Sequence, residues 1–99
     1  MTGSTEDTPS GRTVTVRYWA AARSAAGVDC DVIAVAGPVS LAGLLSDVLL
    51  LHGDRPRLGS VLEVCSVLVG DLPVGTSDQA EVWVAPGDTV ELLPPFAGG

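Results

Sequence analysis

One stretch with helical spacing stands between segments with strand spacing, and that arrangement limits the fold more than any other feature of the chain. Leu41, Leu44, Leu45, Val48 and Leu49 fall at i, i+3, i+4, i+7 and i+8, the core-facing stripe of an amphipathic helix of about 12 residues. Ser40 stands where the N-cap belongs, and Gly53 is the expected stop. Ahead of the helix, Val14, Val16 and Tyr18 alternate with Thr15, Arg17 and Trp19, the period of a half-buried strand. An Ala-rich helical turn over residues 20–26 follows, ended by Gly27. Cys30, Val32 and Ala34 then alternate with Asp31, Ile33 and Val35, a second strand that forms a hairpin with the first. Gly37-Pro38 breaks that strand before the helix begins.

Behind the helix, residues 54–60 read as a loop with arginines and a proline, and residues 61–64 are ambiguous. Residues 65–69 read as a strand, Gly70-Asp71 as a turn and Leu72-Pro73-Val74 as a short extended piece. Residues 81–84 form another short strand, Pro86-Gly87-Asp88 turns the chain, and residues 89–93 are the last strand. There Val90 and Leu92 face inward while Glu91 and Leu93 share the outer face. Strands around one main helix predict an α+β domain, a mixed sheet with the helix packed on one face. That is the ubiquitin-like β-grasp arrangement, in which the first and last strands lie parallel at the sheet centre. Both are rich in Val or Leu here, as a central pair should be.

The 99 residues are enough for one domain. Residues 1–12, rich in Thr, Ser, Gly and acids, are expected to be a flexible tail, and residues 13–99 the domain. Twelve acids stand against five arginines, a net charge of −7, so the basic footprint needed for nucleic acid is missing and a basic protein surface is the natural partner. The chain has no lysine, so its side chains cannot accept an isopeptide bond. Cys30 and Cys65 lie in apolar stretches and are expected to be buried, reduced thiols. His52 is far from both, so no metal site is expected; it reads instead as a helix-end residue favourable to the last carbonyls. No signal peptide and no run long enough to span a bilayer is visible, so the expected location is the cytoplasm, away from membranes.

The last strand runs into Pro94-Pro95-Phe96-Ala97-Gly98-Gly99. Two prolines end sheet pairing and hold the exit extended. Two glycines let backbone enter a channel too narrow for a β-carbon, and the reactive group so delivered is the Gly99 carboxylate.

Here the chain resembles a known family. Val14-Thr15-Val16-Arg17-Tyr18-Trp19-Ala20, then Ala22-Arg23 and Gly27, is similar to the opening of the molybdopterin synthase small subunits, the MoaD/ThiS sulfur carriers. The run from Gly87-Asp88 through Leu92-Leu93-Pro94-Pro95 to Gly98-Gly99 is similar to their close, and the likeness covers residues 13–99. Ser24 stands where the family often has an acid, and Gly70-Asp71 where it often has asparagine.

The resemblance implies that an ATP-dependent adenylating enzyme activates the Gly99 carboxylate. A sulfur donor then displaces AMP and leaves a thiocarboxylate. Gly98-Gly99 next enters the large subunit of molybdopterin synthase and gives its sulfur to the pterin precursor of molybdenum cofactor biosynthesis. The catalytic side chains would belong to the partners, making this chain a non-catalytic, sulfur-donating subunit with no cofactor of its own. Leu93, Pro94, Pro95, Phe96 and Ala97, with Leu72, Pro73 and Val74, are the expected partner contacts, although Phe96 and Leu93 could instead pack on their own domain. Three other functions remain open: a carrier for thiamine or cysteine synthesis, a protein modifier joined to lysines through Gly99, and an interaction module without a reactive tail.

Overall fold

The computed structural model describes residues 12–95; the rest of the expected N-terminal tail, and Phe96, Ala97, Gly98 and Gly99, lie outside the described residues. In chain order the elements are β1 (Thr13–Tyr18), α1 (Ala20–Ala26), β2 (Cys30–Ala34), β3 (Val39–Ser40), α2 (Leu41–Leu51), α3 (Arg57–Val64), β4 (Ser66–Val69), β5 (Leu72–Pro73), a 3-10 turn (Gln79–Glu81), β6 (Trp83–Val84) and β7 (Thr89–Leu93). Pairing begins at Arg12, whose carbonyl accepts from the Val35 N–H at 2.9 Å, one residue ahead of the expected boundary.

Five strands form one sheet in the order β2-β1-β7-β4-β5. β1 and β7 are parallel, with Val16 beside Val90 and Tyr18 beside Leu92, as the alternation predicted for a central pair. β2 and β4 flank them antiparallel, and β2 and β5 are the two edges. A second, two-stranded sheet joins β3 to β6.

Paired residues share a face, which divides the sheet into two chemically different sides. Val14, Val16 and Tyr18 of β1, Val67 of β4, and Val90 and Leu92 of β7 point to the helices and are buried. Leu41, Leu44, Leu45 and Val48 of α2 meet them, with Leu58 and Leu62 of α3 and Ala22 and Ala26 of α1, in one core. Each such Val or Leu contributes roughly 1.5–3 kcal/mol by leaving water. Among the described residues no helix covers the other side, which carries Val32, Arg17, Glu91, Leu93, Leu68 and Pro73.

Several expectations need correction. The expected loop over residues 54–60 contains the start of α3, and the ambiguous 61–64 its end. Pro56 sits at the N-cap with φ −65°, which suits a helix start, and Leu58 and Leu62, one turn apart, are buried. The turn signals Pro56 and Gly59 were outweighed by that tertiary burial, so α2 is the longest helix without being the lone support of the sheet. Leu49 is 40% exposed and does not belong to the core stripe. It faces Gly59, which has no side chain to cover it.

The end of α2 is His52 rather than Gly53, and its side chain turns to Asp31 instead of to helix carbonyls. The strand expected over residues 81–84 is shorter, because the Asp78 carboxylate accepts from the Ala80 N–H at 2.9 Å and locks a 3-10 turn first. Cys30 is exposed, since it lies opposite Arg17 on the uncovered side of the sheet. Cys65 is half-buried and donates to the Val61 carbonyl at 3.2 Å; both cysteines are free.

Candidate functional site: the exit of the last strand

β7 lies in the middle of the sheet, so the segment after Leu93 leaves from the body of the domain rather than from a fraying edge. Leu93 pairs with Ser66 and continues into Pro94, which is half-buried, and Pro95, which is exposed. Proline cannot donate to a ladder, so pairing stops where the sequence predicted.

Pro94 and Leu93 form one wall of an open groove of about 520 Å³ on the uncovered side of the sheet, completed by Trp19, Ala20, Ser66 and Leu68. Trp19 is its largest member. The Trp19 N–H of the backbone donates to the Leu92 carbonyl at 3.2 Å, and the indole Nε1 donates to Glu91 Oε1 at 3.0 Å. The Arg17 guanidinium stands 4.9 Å from the ring centroid, within cation–π range. The ring is therefore held in place beside the strand exit while remaining 38% exposed. The next residue, Ala20, adopts φ +49°, a left-handed turn that a residue with a β-carbon rarely takes. It lets the chain swing from β1 directly into α1, with the Trp19 carbonyl accepting from Ala22 at 2.9 Å.

The structure brings some of the expected contact residues together and separates others. Leu93 and Pro94 share the groove. Pro73 pairs with Leu68 and so lies on the same side of the sheet, two strands away from β7. Leu72 pairs with Val69, which turns it to the helix side at the sheet edge, where it is 74% exposed. Val74 donates to the Val67 carbonyl at 2.9 Å and packs against the core. Phe96, Ala97, Gly98 and Gly99 lie outside the described residues. Trp19, Ser66 and Leu68 were not among the expected contacts. The signal for Trp19 was available: it alternates outward from the buried Val14, Val16 and Tyr18. Leu68 and Ser66 reach the groove through the antiparallel register of β4 against β7, which local spacing does not reveal.

Among the described residues no three His, Cys, Asp or Glu side chains gather as a metal ligand set, and no helix is long and apolar enough to cross a membrane. No family model matches the sequence, and no curated protein does.

Solved structures do match. The chain is similar to SAMP1 from Haloferax volcanii, with a TM-score of 0.69 and 22% identity over 88% of this chain and 99% of that one. It is similar to a chain of the complex of subunits 1 and 2 of molybdopterin-converting factor from Helicobacter pylori 26695, with a TM-score of 0.59 and 23% identity over 88% and 99%. The chain has the β-grasp fold. Urm1 from Trypanosoma brucei shares it, with a TM-score of 0.64 and 20% identity over 89% of this chain and 96% of that one. Within this β-grasp domain, the groove beside Trp19 and Pro94 adjoins the point where β7 hands the chain to its glycine-ended segment.

Proposed function

We propose that this β-grasp domain is a sulfur carrier, the small subunit of a molybdopterin synthase, and that Gly99 is the residue charged. The observation that carries the reading is the central strand β7 running into Pro94-Pro95 beside an apolar groove, with Gly98-Gly99 four residues further on. A partner that fills the groove takes hold of the domain beside the point from which Gly98-Gly99 would enter its active site. Glycine residues suit a narrow channel because no β-carbon meets its wall. Leu93, Pro94, Pro95, Phe96 and Ala97 then serve as partner contacts, joined by Trp19 and, across the sheet, by Pro73.

The chemistry proceeds on the Gly99 carboxylate. An adenylating partner joins it to AMP and releases pyrophosphate from ATP. A sulfur nucleophile attacks the acyl carbon, AMP leaves, and the thiocarboxylate remains. The large synthase subunit supplies the groups that move this sulfur to the pterin precursor. The working location of such a pathway is the cytoplasm.

Incubation with ATP, an adenylating enzyme and a sulfur source tests the charging step. The intact mass should rise by the replacement of one oxygen with one sulfur, and deletion of Gly99 should abolish the gain. The same spectrum reports whether Gly99 bears the free carboxylate that the reading requires. An unchanged mass under conditions that charge a known carrier would overturn it.

The kinship in fold with proteins named as modifiers, SAMP1 among them, supports a second reading, transfer of the activated Gly99 to lysines of other proteins. Conjugates that disappear on deletion of Gly98-Gly99, with no sulfur gained, would favour that reading.

A further inference from the structure

The helical side of the domain carries a feature that the strand exit does not use. α2 and α3 both wall an open groove of about 410 Å³, lined by Ala42, Leu45 and Leu49 from α2 and Gly59, Leu62 and Glu63 from α3, with the polar Ser46 and Gln79. Ala42, Leu45 and Leu49 lie at i, i+3 and i+7, one face of α2. Gly59 keeps the floor low, since a β-carbon there would stand 3.8 Å from Leu49 Cδ2. Leu49 is 40% exposed, and Leu50, the next residue of α2, is 80% exposed. Large aliphatic side chains so open to water, next to a furrow between helices, mark a surface that another molecule covers.

Charge selects the occupant. Glu63 lines the groove, and Asp47, Asp78 and Glu81 are exposed on the neighbouring turns of α2 and the 3-10 segment. No arginine lines it. A second copy of this chain, with net charge −7, would bring like charge to like. The chain's own residues 1–11 include Glu6 and Asp7 and no basic side chain, so they are a poor match too. We propose that the α2–α3 groove docks a cationic amphipathic helix of another protein, its leucine-type anchors laid against Ala42 and Leu49 and its basic flank toward Glu63. This surface lies on the opposite side of the sheet from the Trp19 groove, so a protein bound here leaves the exit of β7 free. The domain can thus be held by one partner while a second works on its end.

The test uses the full chain labelled with 15N and three synthetic peptides. One has leucines at helical spacing on a lysine background, one has the same leucines on a glutamate background, and one has lysines without leucines. The leucine–lysine peptide should shift the amide signals of residues 42–50 and 59–63 saturably, and the other two should not. Leu49→Ser with Leu50→Ser, and separately Glu63→Lys, should each weaken binding about tenfold or more while the melting temperature stays near that of the parent. Shifts that fall on the uncovered sheet face, spread evenly over the acidic surface, or persist in the variants would overturn the proposal. So would a concentration-dependent dimer broken by the Leu49 and Leu50 changes, since the groove would then take a second copy. The readout contains no sulfur chemistry, so its failure is separate from failure of the carrier reading.

Discussion

Tyr18 and His52 meet edge to face, ring centroids 6.0 Å apart, above a single oxygen of Asp31. The Tyr18 hydroxyl donates to Asp31 Oδ2 at 2.8 Å, and His52 Nε2 lies 2.6 Å from the same atom. Three elements are joined at that oxygen: the central strand β1, the neighbouring β2 and the end of α2. The Asp31 and His52 side chains are only 17% and 12% exposed, so water cannot readily replace either partner.

Removing the acceptor should therefore cost more than removing one donor. Tyr18→Phe should destabilise by about 1 kcal/mol, since it deletes one hydrogen bond and keeps the ring. Asp31→Ala should cost about 2–4 kcal/mol, because it strands both the buried hydroxyl and the imidazole. Urea denaturation of the two variants measures both values. Equal losses would mean that the shared oxygen is not what ties the three elements.

The same tyrosine sets an alkaline limit. Burial first, and then the hydrogen bond to Asp31, push the Tyr18 hydroxyl well above its ordinary range. A group whose folded pKa is raised gives its full stabilisation below the unfolded value, about 10 for tyrosine, and loses it as pH climbs beyond. The chain has one tyrosine, so the phenolate signal is assigned to Tyr18. Stability should fall above about pH 10, with phenolate absorption appearing only as the protein unfolds. Burial also raises the Cys65 thiol, so Cys65→Ser is the control background. Phenolate formed in the folded protein at its ordinary pH would contradict this account.

The two thiols should differ in reactivity. Cys30 is exposed on the open face of the sheet, whereas Cys65 is half-buried, donates to the Val61 carbonyl and is pushed up by burial. The thiolate is the reactive form, so Cys65 is slowed by both access and ionisation. Alkylation with iodoacetamide under native conditions, followed by peptide mapping, should label Cys30 first. Equal rates would show that α3 opens readily.

Two leucines test how the domain divides its work. Leu92 is fully buried in β7 and Leu50 is 80% exposed on α2. Leu92→Ala should cost about 2–5 kcal/mol, while Leu50→Ala should stay within about 0.5 kcal/mol. Thermal and denaturant unfolding decide the contrast.

Under the proposed function, Trp19→Ala should leave the fold near its parent stability and weaken binding to a large subunit of molybdopterin synthase by about tenfold or more, since an aromatic anchor of the groove is lost. Calorimetric titration with that subunit measures the loss. Unchanged affinity would remove the groove from the docking site.

What the amino-acid sequence determined by itself is the set of elements whose cause is local. Period-two alternation placed Val14, Val16 and Tyr18 inward on β1. Helical spacing placed Leu41, Leu44, Leu45 and Val48 on one side of α2, and the Ser40 hydroxyl accepts from Gly43 as an N-cap should. Gly27 ends α1 at φ +82°, as a helix-stopping glycine does. Tertiary structure decided what depends on residues distant in the chain. Leu58 and Leu62 form a helix because a core is there to receive them, despite Pro56 and Gly59. Asp31 finds His52 across 21 residues, and Trp19 finds Glu91 across 72. Such meetings depend on sheet order and register, which arise only when the strands close on one another. The groove beside Pro94 has the same origin, since its walls come from three strands that no local pattern brings side by side.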